Sequence, residues 1–462
     1  MSNSLPVPAR TPRGHVPFIA HAPGRQIPLP SVGDPPPTGR VAYVMSRFPK
    51  LTETFVLLEM LAVERTGWKT EIYPLLRERS TVMHPEAIPA VQRAHFMPFF
   101  SWSIFAANFY FLIRQPQRYL TALWKLMWGT CGSLNFFWGG LAIFPKAVAF
   151  ARSMQRESVT HVHAHFCNHP AAAAFIIHQL TDIPYSFTAH GSDLHRDRRM
   201  LREKARDAEF VVTISQYNRD IIIAECGSEV GKKLHVVRCG VDAQFFHPET
   251  DRSGRNERSL QLICVGTLHE VKGQRFLIEA CRLLRQRGYA VKCDFVGDGP
   301  DKQSLVELVH RSGLSDFVRL LGACRREEVD SLLRKADVAV APSVPTADGR
   351  REGIPVALME AMASETAVVA SRLSGIPELI ADGDNGLLVP PGDAAALATA
   401  IARLHDDPLL WRQLGRAGRA TIERDYNVFL NAQRLAGLFR HEAAPTSTAA
   451  ARRMSAGKVG AP

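Results

Sequence analysis

Residues 342–363 read Pro342-Ser-Val-Pro-Thr-Ala-Asp-Gly-Arg-Arg-Glu352-Gly-Ile-Pro-Val-Ala-Leu-Met-Glu360-Ala-Met-Ala363, directly after the apolar run Asp337–Ala341. A short apolar run, a loop with Pro and Gly, then an apolar helical stretch describes a parallel strand passing into a crossover helix. The spacing predicts a helix from near Ile354, with Pro355 in its first turn, where a missing amide does no harm. Gly353 permits close approach of backbone to a ligand. The free amides and dipole of the helix start, which Ile354, Pro355 and Val356 form, suit a diphosphate. Glu352, just outside the helix, is placed to accept hydrogen bonds from sugar hydroxyls. Glu360 falls about two turns further on, on roughly the same side, where a carboxylate chelates a ribose diol. Two glutamates eight residues apart are ordinarily surface charges; the strand–loop–helix context argues for a site.

The same rhythm extends in both directions. One βα series opens with a strand at Val41–Met45, a helix around Glu53–Arg65 and a strand at Lys69–Pro74, and resumes with strands at Val159–Ala164, Tyr185–Ala189 and Phe210–Ile214. A second runs through Leu260–Val265, Val291–Val296, Phe317–Leu320, Asp337–Ala341 and Ala367–Ala370. Short apolar runs alternating with helical segments imply parallel sheets covered on both faces. The fold class is α/β: two doubly wound Rossmann-like domains facing a cleft, with ligands at the carboxyl ends of the strands. The polar stretch Asp242–Arg258 marks the boundary, giving a first domain over 39–245 and a second over 246–425. A length of 462 residues agrees, being too great for one core. Residues 1–38, with ten prolines, and 443–462 are expected to be disordered tails.

Composition narrows the function classes. The chain is 46% apolar and 22% charged, as soluble globular proteins are, with a net charge of +11. No nucleic-acid motif or dense basic stripe is present, so nucleic acid is excluded as a partner. Membrane phosphates or an anionic sugar nucleotide account for the positive surplus. Eight cysteines without paired spacing read as reduced thiols. With no apolar signal region in the first thirty residues, a cytoplasmic location is expected.

Residues 96–150 interrupt the βα rhythm with Phe99-Phe100-Ser-Trp102, Phe109-Tyr-Phe111, Trp124, Trp128 and Phe136-Phe-Trp138, interleaved with Arg114, Arg118 and Lys125. Spanning a bilayer needs roughly 20 apolar residues, which this segment barely musters. Two readings stay open. The helices lie in a membrane interface, peripheral on the cytoplasmic face of the inner membrane, or they form a helical insertion burying its aromatics against the first domain.

The Glu352–Glu360 segment resembles the Glu-x7-Glu motif of retaining glycosyltransferases with the GT-B fold, family 4. The likeness continues in Val265-Gly-Thr-Leu-His-Glu-Val-Lys272-Gly, Val296-Gly-Asp-Gly-Pro300, Ser374-Gly-Ile-Pro-Glu378, Gly386-Leu-Leu-Val-Pro390, His163-Ala-His165-Phe, Phe187-Thr-Ala-His190-Gly-Ser-Asp193 and Cys239-Gly-Val-Asp242. The resemblance implies a metal-independent hexosyltransferase without a cofactor. It implies a catalytic set of His190, Lys272 and Glu352, and donor contacts from Gly266, Thr267, Lys272, Glu352, Gly353, Ile354, Pro355, Val356 and Glu360. Lys272 would stabilise the departing nucleotide diphosphate. The family usually has Arg where this chain has Thr267, which leaves Arg325, Arg350 and Arg351 as candidates for the second cation. The resemblance also implies that a last helix, 426–442, packs back on the first domain.

His161, His163, His165, Cys167 and His169 alternate along one run, which invites a zinc reading. Same-face residues of one strand diverge along it, however, and a structural role is the expectation. His190 ends an apolar strand before Gly191 and should project into the cleft, with Asp193 as a partner for acceptor hydroxyls. Met45-Ser-Arg-Phe-Pro-Lys-Leu-Thr-Glu53-Thr-Phe55 stands where many relatives have a glycine-rich acceptor loop, which makes Glu53 an acceptor-side candidate. This version resembles the exopolysaccharide and colanic-acid subgroup, whose acceptors are lipid-linked or growing saccharides. The alternatives are a sugar-nucleotide epimerase or phosphorylase on the same fold, and a non-catalytic sugar-nucleotide-binding subunit.

Overall fold

A computed structural model of the chain describes residues 39–50, 53–78, 86–195, 197–249 and 259–440. The tails expected to be disordered, 1–38 and 443–462, lie outside the described residues.

Among the described residues, twelve strands form two six-stranded sheets, every pairing parallel. The first holds β1 (Gly39–Phe48), β2 (Trp68–Arg77), β3 (His161–His165), β4 (Tyr185–Ala189), β5 (Phe210–Thr213) and β6 (Leu234–Val236), in the order β2-β1-β3-β4-β5-β6. The second holds β7 (Leu260–Val265), β8 (Val291–Val296), β9 (Val318–Gly322), β10 (Val338–Ala341), β11 (Ala367–Ser371) and β12 (Leu387–Val389), in the order β12-β11-β10-β7-β8-β9. Both orders reverse once, between β1 and β3 and between β7 and β10. Loops leaving the two central strands there run to opposite faces and open a crevice. The strands at Tyr185–Ala189, Leu260–Val265 and Val291–Val296 have the bounds their apolar runs predict. The edge strands β6 and β12, three residues each, were not predicted, because such a run carries no pattern of its own.

Alternation explains the second sheet's packing. Leu262 and Cys264, Val338 and Val340, and Val369 join one buried cluster; Ile263, Ala339, Val368 and Ala370 join another. Successive side chains point to opposite faces, so helices cover both. The chain crosses between domains at Gly240–Asp242 and again at Tyr426–Val428. The crossings are tied together: Val241 N–H donates to Tyr426 O (2.9 Å) and Val428 N–H to Val241 O (3.2 Å). A Cβ at Gly240 would sit 2.5 Å from Val428 N, so only glycine allows this approach. The last helix, Val428–Phe439, then lies on the first domain. Phe429 receives the Arg65 guanidinium, Phe439 meets Trp68 edge-on at 5.6 Å, and Arg440 Nη2 donates to Thr66 O (2.7 Å).

The aromatic insertion forms helices Trp102–Arg114, Pro116–Thr130 and Leu134–Arg156. Their inner faces (Ile104, Phe111, Ala122, Leu126, Phe144, Ala147) are buried. Their outer faces are not: Trp102 is 81% exposed, Trp128 71% and Leu134 80%. The reading in which the insertion buries its aromatics against the first domain holds for Phe111, Phe144 and Phe150, which join its core, while Trp102, Trp124, Trp128 and Trp138 stay outside. Leu134–Arg156 is long and apolar enough to cross a membrane, yet 56% of its apolar window is buried against the first domain.

Candidate active site

The loops at the second sheet's switch point lie side by side. Gly266–Gly273 follows β7 and Pro342–Pro355 follows β10, and Val344 N–H donates to Val271 O at 3.0 Å. Gly273, in the left-handed region (φ +66°), accepts no side chain, since a Cβ would sit 1.9 Å from Pro342 O. Facing them are the loops after β1, β3, β4 and β5. Between the two sets lies a cleft of about 1320 Å³. Its lining includes Glu53, His190 and Asp193 from the first domain, Gly266, Thr267 and Lys272 from the first βα loop of the second, and Glu352–Val356 with Glu360.

The domains approach backbone to backbone where Gly191 (φ +133°) faces Gly353. A Cβ on Gly353 would lie 2.7 Å from His190 O, and one on Gly191 would lie 3.3 Å from Gly353 Cα. Bare backbone on both sides brings His190 up to the helix start. That helix is Val356–Ala363, two residues later than the spacing predicted, and Pro355 is its N-cap with ψ 125° rather than a first-turn residue. Ile354 precedes a proline and is therefore pushed out of the helical region. Glu360 consequently sits little more than one turn into the helix, not two. Burial raises its carboxyl to about 7, against the opposing pull of Arg326.

Lys272 and Glu352, assigned separately to phosphate and sugar, meet. The Lys272 ammonium pairs with Glu352 Oε1, while Glu352 Oε2 accepts from Ser343 Oγ at 2.5 Å. Gly266 provides the room, because a Cβ there would touch Lys272 Cε at 3.3 Å. Of the candidates for the cation that Thr267 does not supply, Arg350 and Arg351 line the cleft and Arg325 does not. Arg325 is exposed, 3.7 Å from Glu328, which corrects that assignment. Arg350 Nη1 lies 3.0 Å from His269 Nε2, and Arg351 Nη1 donates to Tyr217 Oη at 3.3 Å.

His190 is 7% exposed, its ring between Phe55 and Phe166 with centroids at 5.0 and 4.7 Å. Burial, reinforced by His165, holds its imidazole well below the usual range. The structure gives Asp193, which lines the cleft, a further role. One oxygen accepts from the His190 and Gly191 amides (3.0 and 2.8 Å) and the other from Cys167 N (2.7 Å), so the carboxylate braces the His190 loop. Glu53 is bound by Lys50 Nζ at 2.5 Å.

The alternating histidines are internally engaged. His161 and His163 both contact Ser186 Oγ at 2.7 Å, His163 reaches Thr188 Oγ1 at 2.9 Å, and His165 lies between Glu59 and His190. Glu59, His163 and His165 have ligand atoms within 4.8 Å of one another, as do Glu71, His95 and Glu157 on the first domain's flank. In the first group those atoms serve the hydrogen bonds just given. In the second, Arg40 and Lys69 already balance Glu71.

Sequence reasoning missed Arg326 and Glu378. Arg326, at the first position of the helix after β9, lines the cleft 5% exposed, stacked 3.8 Å over Phe245 and paired with Glu86 at 3.3 Å. Its Nε and Nη2 have no partner among the described residues. Glu378 accepts from the Gln216 and Tyr217 amides, both at 2.8 Å, capping a first-domain helix from the second domain. Its place in Ser374-Gly-Ile-Pro-Glu378 was visible, its partner was not.

Comparison with known proteins agrees with this architecture. Residues 130–245 match the family model for Glycosyltransferase Family 4, and 259–407 match the one for Glycosyl transferases group 1. The amylovoran biosynthesis glycosyltransferase AmsK of Erwinia amylovora is 36% identical over 255 residues, 54% of this chain and 61% of AmsK. WcaL of Escherichia coli (strain K12), a glycosyltransferase named for colanic acid biosynthesis, is 40% identical over 212 residues, 45% of this chain and 51% of WcaL. The chain thus spans about half to three fifths of the length of these relatives. Anabaena Alr3699/HepE, solved with UDP-glucose, shares the fold at a TM-score of 0.64 and 17% identity, covering 87% of this chain and 100% of HepE. Two reversed parallel sheets across a cleft, the first carrying a Glycosyltransferase Family 4 match and the second a Glycosyl transferases group 1 match, give the chain the GT-B fold.

Proposed function

We propose that the chain transfers a hexosyl group from a nucleotide-sugar donor to a lipid-linked or growing saccharide acceptor, in exopolysaccharide or other cell-surface polysaccharide assembly. One observation carries the reading. At the second sheet's switch point the Lys272 ammonium, Glu352, Gly353, the amides of the Val356–Ala363 helix and Glu360 converge, facing His190 across a single cleft. A diphosphate at the helix amides competes with Glu352 for Lys272. That competition frees Glu352 for the sugar hydroxyls and leaves the cation to stabilise charge developing on the departing diphosphate. Cation and amides take the part a metal plays elsewhere, so transfer is metal-independent. Departure and attack on one face of the sugar give retention. UDP-glucose, with which HepE was solved, is the first donor for trial.

The insertion supports a lipid-linked acceptor. From Ala87 to Arg156 the sequence holds no Asp or Glu, while Arg93, Arg114, Arg118, Lys125 and Arg156 are among its cations. Exposed tryptophans beside cations suit an anionic bilayer surface, each basic residue near it adding about 1 kcal/mol. The same insertion supplies Asn135 and Phe136 to the cleft wall, so a lipid-borne acceptor at that surface enters beside His190. The protein then sits peripherally at the cytoplasmic face of the inner membrane.

The test is a thermal-shift screen of nucleotide sugars, turnover on the hits with EDTA present, and flotation with anionic and neutral vesicles. Tight nucleotide binding without transfer or donor hydrolysis would favour the non-catalytic subunit. Inverted anomeric configuration in the product would overturn retention, and a loss of turnover in EDTA restored by Mg²⁺ would overturn metal independence.

A further inference from the structure

His190 is the last member of a row of side chains drawn from three elements. Glu59 lies on the helix Thr54–Glu64, His165 ends β3, and His190 follows β4. Glu59 Oε1 is 3.1 Å from His165 Nε2, and His165 Nδ1 is 3.0 Å from His190 Nε2. The row is closed in from the side: Tyr43 stacks on His165 with centroids 5.6 Å apart, and its hydroxyl reaches Glu59 Oε1 at 3.5 Å. His165 is wholly buried, and His163 beside it is occupied with Ser186 and Thr188.

We infer that Glu59 is a positioning residue which, through His165, holds His190 as the tautomer protonated at Nε2, keeping its Nδ1 bare to accept a hydroxyl of the sugar in the cleft. The chain of roles follows from what each group is able to donate. A carboxylate only accepts, so His165 donates Nε2–H to Glu59. A neutral imidazole then accepts at Nδ1, and His190 must donate from Nε2. What remains is His190 Nδ1, 3.8 Å from Cys239 Sγ, both residues lining the cleft. Burial pushes the Cys239 thiol far above its usual range, so it stays S–H, a weak donor that a sugar hydroxyl outcompetes. Burial likewise keeps His190 uncharged, so its two nitrogens have distinct roles. The hydroxyl rests on the glycosyl-transfer reading; the tautomer does not.

The experiment uses the full chain labelled with ¹⁵N-histidine, in which protonated and bare ring nitrogens resonate far apart. The His190 signal, assigned by its loss in His190→Gln, is expected to show Nε2–H and bare Nδ1. Glu59→Leu is expected to convert it to a mixture, whereas Glu59→Gln, whose amide oxygen still accepts, keeps it. With a turned-over donor, Glu59→Leu should lower kcat by roughly 10- to 100-fold, as loss of a histidine's outer partner does at metal sites, while UDP or GDP affinity stays unchanged. An Nδ1–H signal in the wild type, or an unaltered His190 signal in folded Glu59→Leu, overturns the inference. Zinc uptake by the wild type that Glu59→Leu abolishes does so too. If Glu59→Leu does not fold, Glu59→Gln decides alone: its His190 signal must match the wild type's. A tautomer result as expected in a protein that turns over no donor leaves the Glu59 assignment standing and removes the glycosyl-transfer reading.

Discussion

Replacing Lys272 by Ala removes the cation that the switch-point loops hold against Glu352, and two effects then oppose each other. The side chain is 24% exposed, so its charge acts in a partly desolvated site. A unit charge about 4 Å from a phosphate, at an effective dielectric near 20, is worth about 4 kcal/mol. Part of that is offset, because the donor must displace Glu352 from the ammonium. A remainder of about 3 kcal/mol corresponds to a loss of roughly 100-fold in kcat/KM, within the range seen when one stabilising donor is removed from a developing anion. Folding should suffer little: Glu352 keeps its Ser343 bond and is 12% exposed, so a cost of about 1 kcal/mol and a midpoint shift of about 2–4 °C are expected. The assay is donor turnover under saturating acceptor, with thermal unfolding alongside. Lys272→Ala with Glu352→Ala separates the ion pair from the phosphate contact, since the pair contributes nothing once Glu352 is gone. A kcat/KM within fivefold of wild type in the folded variant would refute the reasoning and move the phosphate contact to Arg350 or Arg351.

Gly353→Ala drives a Cβ to 2.7 Å from the His190 carbonyl, which is backbone and cannot step aside. Overpacking of about 1–3 kcal/mol at this approach should weaken nucleotide binding and lower the thermal midpoint, and unchanged calorimetry would show the domains are not held this close. Glu360 titrates near pH 7 because burial disfavours its charge, so the folded state holds a proton that the unfolded chain, near the ordinary 4.5, has lost. Its stabilising contribution is full below about pH 4.5 and is lost as pH rises through about 7. Stability should therefore fall across that window, and Glu360→Gln should flatten the profile in denaturant unfolding. Nucleotide affinity should move the opposite way, strengthening from about pH 6 to 8 as the carboxylate becomes available to a diol, and the Gln variant should abolish that trend in calorimetry. Changing Trp102, Trp124 and Trp128 to Ser should leave unfolding within about 0.5 kcal/mol per site, these rings being 81%, 65% and 71% exposed, yet release the protein from anionic vesicles in flotation.

How far the fold was legible depends on where each element buries its surface. Leu260–Val265 and Val291–Val296 are central strands paired on both sides, apolar apart from Gln261, Lys292 and Asp294, and each stops at a glycine, Gly266 or Gly297. Leu234–Val236 and Leu387–Val389 pair on one side only, and their strand character comes from β5 and β11, not from themselves. The site divides the same way. Features belonging to one loop, such as Glu352-Gly-Ile-Pro before an apolar helix, could be read, although Pro355 fits either side of a helix boundary and the start was placed two residues early. Pairings between loops could not: Lys272 with Glu352 depends on neighbouring loops of the second sheet, Asp193 with the amides of residues 167, 190 and 191 on those of the first, and Arg326 with Glu86 on how the two domains face each other. The same distinction bears on the insertion. Its sequence pattern is amphipathic, and amphipathicity alone fits a helix against a core as well as one against lipid. The folded first domain separates the two faces: it covers Ile104, Phe111, Leu126 and Phe144 and leaves Trp102, Trp128 and Leu134 outside. In the proposed function, that acid-free second face, uncovered by any of the described residues, meets a surface that is apolar within and anionic at its rim, and flotation of the tryptophan variants tests it.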